Sequence, residues 1–284
     1  MEAIDLTNLE DEFGDIIAKA RRGHGFTTAQ LAQLTGLSER DIEEIEAYRL
    51  TPDCRRIARL AEALSLDPDK LADIAAHAWF PPQTALPSDT ALVDKISIPW
   101  SGYWENCYIF RCRDSHLAAV VDPGGSAEEI SHRLAELGLV LNLVLITHGH
   151  ADHVGGLSRL VAKWPNACVA CHPTERDSIM RGLSAHWEAA GDGAVIPLDG
   201  LTITTLHIPG HTLGSTCYYT QGFCFVGDTL FAGSIGRPAS QEIYPRMLSG
   251  IREKVLSLPD ETFLLPGHGP IAAVQEENAH NPFF

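Results

Sequence analysis

The segment LITHGHADHVGG (residues 145–156) places three histidines and an aspartate directly after an apolar run. The run LNLVLITH indicates a buried strand, and the carboxyl edge of a sheet is where α/β proteins place their functional sites. In the spacing H-x-H-x-D-H, His148 and His150 can converge on one cation, while Asp152 and His153 turn toward a second. The chain is therefore predicted to fold around a sheet that carries a metal site at its edge.

Three single-ligand motifs follow downstream: IPGHT with His211, FVGDTLF with Asp228 and LPGHGP with His268. Each comes just after an apolar strand pattern and beside a glycine, so each is predicted to reach the same edge. His211 would complete the ligand set of the first cation and His268 that of the second, with Asp228 bridging both. Imidazole and carboxylate ligands suit zinc, iron or manganese. We expect two divalent metal ions as cofactors, with zinc favoured over iron or manganese.

The pattern along the chain predicts two domains and a linker. Residues 1–78 have helical periodicity, and residues 79–92 are rich in proline, as is typical of a linker. From 93 to 284, short β runs alternate with helical ones and a β meander follows, which predicts an α+β sandwich.

Residues 93–284 resemble the metallo-β-lactamase superfamily, with every ligand motif matched. The resemblance implies an αβ/βα sandwich with a binuclear site at its edge. The motifs GHT (210–212) and GDTLFAGSIGR (227–237), with the tail beginning PGHGP, are similar to those of short glyoxalase II-like hydrolases. The longer family members read GHEYT at the last motif and add a C-terminal helical domain that holds glutathione, so those contacts cannot be transferred to this chain. The short form also continues with Asp after GR, where this chain has GRPAS.

The resemblance implies hydrolysis of a thioester such as S-D-lactoylglutathione by a hydroxide shared between two cations, oriented by Asp152 as the catalytic residue. A second hypothesis is an iron-dependent persulfide dioxygenase, whose single iron would use His148, His211 and Asp228. The same motifs also permit a lactonase, an acyl-CoA hydrolase or a metal- or ligand-sensing transcriptional regulator.

Six side chains are candidate substrate contacts. Two lie in the loop PWSGYWEN between early strands, and three lie in the segment 172–193, where this superfamily inserts residues that overhang the metals. Basic members of the set would meet an anionic carrier. The candidates are Tyr103, Trp104, Arg176, Arg181, Trp187 and Arg237.

The N-terminal segment resembles the Cro/repressor-like (XRE-type) helix-turn-helix family over residues 10–76. Thr28 is expected to cap a helix and Gly36 to form the turn, and SERDIEEIEAY occupies the position of the recognition helix. Residues 1–80 contain nine Lys/Arg against sixteen Asp/Glu, and DNA binding depends heavily on neutralising phosphates. We therefore expect this module to serve in dimerisation or to cover the active site, and DNA is the less favoured partner.

Composition limits the remaining classes. The net charge of −16 argues against broad attraction to nucleic acid or anionic lipid, and seven cysteines cannot all pair within one chain. The amino terminus has no basic segment followed by an apolar core, and no apolar run approaches the roughly 18 residues of a membrane span. We expect a cytoplasmic protein that acts on a small-molecule substrate, has no membrane partner and could assemble as a homodimer.

Overall fold

A computed structural model describes residues 9–83, 86 and 91–284 of the chain. Part of the predicted linker, at 84–85 and 87–90, lies outside the described residues. No helix in the described ranges is long and apolar enough to cross a bilayer.

Two six-stranded sheets pack face to face. The first consists of β1 (Ala91–Trp100), β2 (Tyr103–Cys112), β3 (Leu117–Val121), β4 (Val140–Leu145), β5 (Cys168–Cys171) and β6 (His186–Ala189), which are neighbours in chain order. The second consists of β7 (Val195–Leu198), β8 (Leu201–His207), β9 (Thr216–Thr220), β10 (Phe223–Gly227), β13 (Phe263–Pro266) and β14 (Ala272–Ala273). Its strand order is β14-β13-β10-β9-β8-β7. A short hairpin of β11 (Leu230–Phe231) and β12 (Ser234–Ile235) lies apart from both sheets.

Large apolar side chains fill the space between the sheets. Tyr108 and Phe110 of the first sheet contact Phe225 of the second, with ring centroids 5.6 and 4.8 Å apart. Alternate residues of a strand point to opposite faces, so the other face of each sheet needs a second cover. Helices supply that cover, and the predicted αβ/βα sandwich is confirmed.

Six helices belong to the sandwich, five of them between strands along the chain and one after the last strand. Their bounds are α6 (Ala127–Glu136), α7 (Ala151–Val154), α8 (Leu157–Lys163), α9 (Arg176–Ile179), α10 (Tyr244–Lys254) and α11 (Val274–His280). The first sheet is covered by α6 and α8, which share a core with β1, β3 and β4. The segment 172–193 contains one helix, α9, and one strand, β6.

The N-terminal part is helical, as the sequence predicts. Its helices are α1 (Phe13–Gly23), α2 (Thr28–Thr35), α3 (Glu39–Glu46), α4 (Cys54–Leu64) and α5 (Pro68–Ala75). The cap of α2 is Thr27, whose hydroxyl accepts a hydrogen bond from the Gln30 amide, so the predicted cap at Thr28 is wrong by one position. Gly36 takes the left-handed conformation (φ 68°) that ends this helix, and Ile42 and Ile45 are buried.

These helices and the second sheet share one continuous apolar core. Ile16 and Leu60 of the helices belong to the same buried cluster as Val226 of β10 and Met247 of α10. The C-terminal residues join the two parts, since the Asp67 amide donates to the Pro282 carbonyl. The described helices therefore pack against the sandwich, and the proposed domain boundary at 78 stays a prediction.

Candidate metal centre

The structure brings all seven predicted ligands together at one edge of the sandwich. Four of them follow β4 within the loop and short helix at 148–153, and the others follow β8, β10 and β13. Residues that are far apart in the sequence therefore lie close together, because each of them follows the end of a strand. The seven are His148, His150, Asp152, His153, His211, Asp228 and His268.

Three imidazoles form the first group. Nε2 of His148 and Nε2 of His211 each lie 2.9 Å from Nδ1 of His150. The three ligand nitrogens lie within 4.8 Å of one another, close enough to hold a single ion. Neutral imidazoles whose lone pairs face one another repel unless a proton or a cation lies between them, so this group fits a cation.

Asp152, His153 and His268 form the second group. Oδ2 of Asp152 lies 3.5 Å from Nε2 of His268 and 3.9 Å from Nε2 of His153. His153 and His268 are buried, and Asp152 is half-buried. The group combines two imidazoles with one carboxylate, a donor set that suits a divalent cation.

Asp228 lies between the two groups. Its Oδ2 is 3.4 Å from Nε2 of His211, while its Oδ1 is 3.3 Å from Nε2 of His153 and 3.6 Å from Nε2 of His268. Oδ1 of Asp228 and Nε2 of His153 are both buried without a hydrogen-bond partner. Buried polar atoms are rarely left unpartnered, and a cation at each group would satisfy both.

The outer nitrogens of four imidazoles are fixed by hydrogen bonds. Nδ1 of His268 donates to the Trp104 carbonyl (2.8 Å), and Nδ1 of His211 donates to the Arg237 carbonyl (3.0 Å). In the same way Nδ1 of His148 bonds to the Thr147 hydroxyl at 3.1 Å. A proton held on Nδ1 leaves the lone pair on Nε2, which is the nitrogen that faces the centre.

Asp122 holds the fourth imidazole and was missed in the sequence. It directly follows β3, and its Oδ1 accepts from the Thr147 amide (2.8 Å). Its Oδ2 accepts from the Thr147 hydroxyl (2.6 Å) and from Nδ1 of His153 (2.9 Å). The signal was an acidic residue after a buried strand in VVDPGG, the same pattern that marks the ligands.

Protonation states at the centre suit metal binding. Burial lowers the pKa of His148 well below its usual value and that of His211 to about 4, so both are neutral at pH 7. Burial alone would raise the pKa of Asp228, yet the His153, His268 and His211 imidazoles hold it well below its usual value. Neutral imidazoles and ionised carboxylates are the forms that bind metals.

His153 behaves differently. Burial alone would lower its pKa, but the carboxylates of Asp228 and Asp122 raise it well above the usual value. A cation at the second group must therefore displace a proton from this imidazole.

Close packing also requires glycine beside the centre. A Cβ at Gly267 would lie 2.5 Å from Oδ1 of Asp228 and 2.5 Å from Cε1 of His153. Glu105 of β2 is fully buried, and neither of its carboxylate oxygens has a hydrogen-bond partner. Burial raises the pKa of Glu105 well above its usual value. No sequence pattern points to Glu105, because it lies inside β2.

Two of the predicted substrate contacts border the centre. The Tyr103 hydroxyl donates to Oδ2 of Asp152 at 3.0 Å, and its ring lies 5.3 Å from the His268 ring. Trp104 supplies the carbonyl that holds His268, and Tyr103 and Trp104 are each 40% exposed. Tyr103 therefore touches a proposed ligand as well as solvent.

The other candidates are spread more widely. Arg237 is exposed, and its carbonyl holds His211. The Arg176 guanidinium lies 4.9 Å from the centroid of the Trp187 ring. Arg181 is exposed, and among the described residues it makes no hydrogen bond or ion pair. The structure thus places only Arg237 of these four directly beside a predicted ligand.

Two packed sheets with a His/Asp cluster at their edge define a class of fold and site that is typical of metal-dependent hydrolases. The sequence profile of the Metallo-beta-lactamase superfamily matches residues 105–268. The chain belongs to this superfamily. The helices before residue 105 lie outside the matched region.

Several curated proteins are similar to this chain. Hydroxyacylglutathione hydrolase GloC of Haemophilus influenzae is 33% identical over 205 residues, which cover 66% of this chain and 95% of GloC. Hydroxyacylglutathione hydrolase of Aeromonas hydrophila is 37% identical over 161 residues, which cover 57% of this chain and 60% of that protein. The chain thus spans almost all of GloC but less than two thirds of the longer relative.

Solved structures give the same fold. The di-iron-bound form of TTHA1623 has a TM-score of 0.54 at 30% identity and covers 66% of this chain and 100% of its own. ETHE1 from Myxococcus xanthus has a TM-score of 0.57 at 26% identity and covers 66% of this chain and 83% of its own. The superfamily and the His/Asp cluster support a binuclear metal site, and zinc stays a prediction.

Proposed function

We propose that the protein hydrolyses thioesters of the hydroxyacylglutathione type at the His/Asp cluster. The observation that carries the proposal is the position of Asp228, which turns one oxygen toward each of two adjoining ligand groups. The similarity to hydroxyacylglutathione hydrolase GloC over 95% of its length supports the substrate class.

When bound, two divalent cations would supply Lewis acidity that makes water nucleophilic at neutral pH and stabilises oxyanion charge. The proposed ligands are His148, His150 and His211 for the first cation, Asp152, His153 and His268 for the second, and Asp228 for both.

Asp152 is the proposed catalytic residue. Although burial opposes it, hydrogen bonding to His268 and the charge of His153 lower the pKa of Asp152 to about 2, so this carboxylate stays ionised. It can therefore accept a hydrogen bond from the attacking water and orient it, while the Tyr103 hydroxyl restrains the carboxylate. A leaving thiol with a solution pKa of about 8.5 departs as thiolate and needs little help from an acid.

The thiol carrier is proposed to be anionic. Arg237 is exposed beside His211, and the guanidinium of Arg176 stacks on Trp187 at the segment 172–193. With Arg181, these groups offer cationic contacts for the carboxylates of a carrier such as glutathione.

The test is release of free thiol from S-D-lactoylglutathione by the zinc-loaded full-length protein, followed with a thiol reagent. Asp228→Asn should abolish the release, whereas Asp260→Asn, a change at an exposed position, should leave it unaltered. Protein that holds two metals per chain yet releases thiol no faster than buffer would refute the proposal. Lactones and acyl-CoA thioesters belong in the same panel.

Single-iron oxygen chemistry on a persulfide is the second candidate. Two imidazoles, His148 and His211, lie against the same nitrogen of His150, and Asp228 is 3.4 Å from His211, so a two-His-one-carboxylate set is available. Oxygen consumption with glutathione persulfide, together with one iron per chain, would favour it over hydrolysis.

We infer that the N-terminal helices belong to the Cro/repressor-like class and cover the sandwich instead of reading DNA. Nζ of Lys19 in α1 donates to the Ile235 carbonyl (2.8 Å) and lies 4.8 Å from the centroid of the Phe231 ring. The centroid of that ring is 6.1 Å from the centroid of the His268 ring, so α1 contacts a residue that adjoins the His/Asp cluster. Retardation of any genomic fragment in a low-salt gel shift would overturn this inference.

A further inference from the structure

A groove of about 810 Å³ lies between the open edges of the two sheets, and none of the seven proposed ligands lines it. One wall comes from edge strand β1 with Lys95, and another from residues 80–82. Phe263, Ile271 and Ala272 of the second sheet's edge contribute apolar surface. The volume and the largely apolar lining are those of a small-molecule site.

Lys95 is the one cationic side chain among the described residues that line the groove. It is half-buried, and its Nζ makes a single long hydrogen bond of 3.4 Å to the Gly269 carbonyl. No described carboxylate lies within ion-pair distance of it, and burial lowers its pKa to about 8. An amine in this setting is poorly solvated and would gain from an anionic partner.

The charges of the groove select the anion. Glu261, which is exposed, and Glu276, whose carboxylate accepts a hydrogen bond from Nε1 of Trp79 (3.3 Å), also line the groove, so repulsion grows with every further negative charge on a ligand and disfavours a phosphate or a polyanion. A ligand with a single negative charge matches the single ammonium group, and the apolar surface of Phe263 and Ile271 calls for a hydrocarbon chain.

We propose that this groove binds a monocarboxylate with an apolar chain, whose carboxylate pairs with the Lys95 ammonium while the chain packs against Phe263 and Ile271. A new ion pair with Lys95 would take the place of its weak bond to Gly269. The Gly269 carbonyl would keep its hydrogen bond from the Asn106 side chain (2.9 Å), so the loop that carries His268 need not move.

The experiment is a calorimetric titration of the full-length protein with octanoate and with 1-octanol, the matched ligand without charge. Lys95→Met should weaken octanoate binding by about tenfold or more, the value of one charged hydrogen bond, and leave 1-octanol binding nearly unchanged. Lys95→Arg should restore octanoate binding, Ile271→Asp should weaken both ligands, and Lys163→Met, at an exposed lysine of α8, should alter neither.

Binding is read directly, so the result does not depend on whether the protein hydrolyses thioesters. Equal affinity for octanoate in wild type and Lys95→Met would overturn the proposal, and so would the absence of heat with octanoate up to millimolar concentration. Preference for 1-octanol, or for an apolar peptide that binds equally well to Lys95→Met, would show a purely apolar groove and would overturn it as well.

Discussion

Replacing Asp122 by Asn should selectively weaken the second metal group. Asp122 accepts three hydrogen bonds and donates none: two from Thr147 and one from Nδ1 of His153. An asparagine of the same shape has only one acceptor oxygen. In one orientation, the side-chain oxygen faces the Thr147 amide and the new NH2 faces Nδ1 of His153. In the flipped orientation, the NH2 faces the proton of the Thr147 amide instead.

The first orientation has the clearer consequence. Nδ1 of His153 must then accept a hydrogen bond, so its proton moves to Nε2, the nitrogen that faces Asp228 at 3.3 Å. An imidazole protonated there cannot ligate a metal. Losing such a partner typically lowers metal affinity about 10–100-fold, and leaving a buried donor or acceptor unpaired costs about 1–3 kcal/mol of folding stability.

Metal content and competition with a chromogenic chelator would measure the effect. We expect Asp122→Asn to keep one tightly bound cation, because none of His148, His150 and His211 bonds to Asp122 directly, and the Thr147 hydroxyl between Asp122 and His148 can still accept from Nδ1 of His148. Asp192→Asn, which alters an exposed ion pair with Lys254, is the matched control and should bind metal as wild type does. Two cations bound with unchanged affinity in the Asp122→Asn protein would refute the reasoning.

Three further outcomes are expected. Tyr103→Phe removes the hydrogen bond to Asp152 and should lower kcat several-fold with little change in metal content, and an unaltered kcat would count against this restraint. Metal affinity at the second group should fall as pH falls from 8 to 6 in a metal-buffered titration, because His153, whose pKa is raised, must release a proton when a metal binds. A metal affinity that does not change with pH would disprove this. Burial raises the pKa of Glu277 to about 8, so the folded state holds more protons than the unfolded state above pH 4.5, and stability falls as pH rises toward 8. Urea unfolding of Glu277→Gln should show a shallower fall over that range, and Glu62→Gln, at an exposed position, should follow wild type.

The meeting of the seven side chains of the His/Asp cluster could be predicted because the motifs that hold them carry local signals. A short apolar run predicts a strand, and a histidine or aspartate next to a glycine just after that run is predicted to lie at the strand's end. This prediction needs no information about the rest of the chain. Asp228 and His268 follow this rule, and so does Asp122. Asp122 nevertheless depends on more than its own sequence, since its role requires that β3 and β4 pair in parallel, with Val121 opposite Leu145.

Glu105 shows where local patterns stop being informative. It occupies β2, and the sequence around it does not indicate that its side chain is fully buried with both carboxylate oxygens unpartnered. Strand alternation assigns a face to each residue only once the neighbours of the strand are known. The partner of Tyr103 was missed for the same reason, because the hydrogen bond to Asp152 joins residues 49 positions apart.

The N-terminal helices illustrate the limit of reasoning by segments. Their helical periodicity indicates that each helix buries one apolar face, and Ile42 and Ile45 of α3 are indeed buried. The same pattern gives no reason to expect Ile16 and Leu60 in one cluster with Val226 of the second sheet. The sequence of an amphipathic helix indicates which of its faces is buried, but it does not indicate which element covers that face. A proline-rich stretch between a helical segment and a segment of alternating strands and helices therefore marks a change of secondary structure. It does not by itself separate two hydrophobic cores.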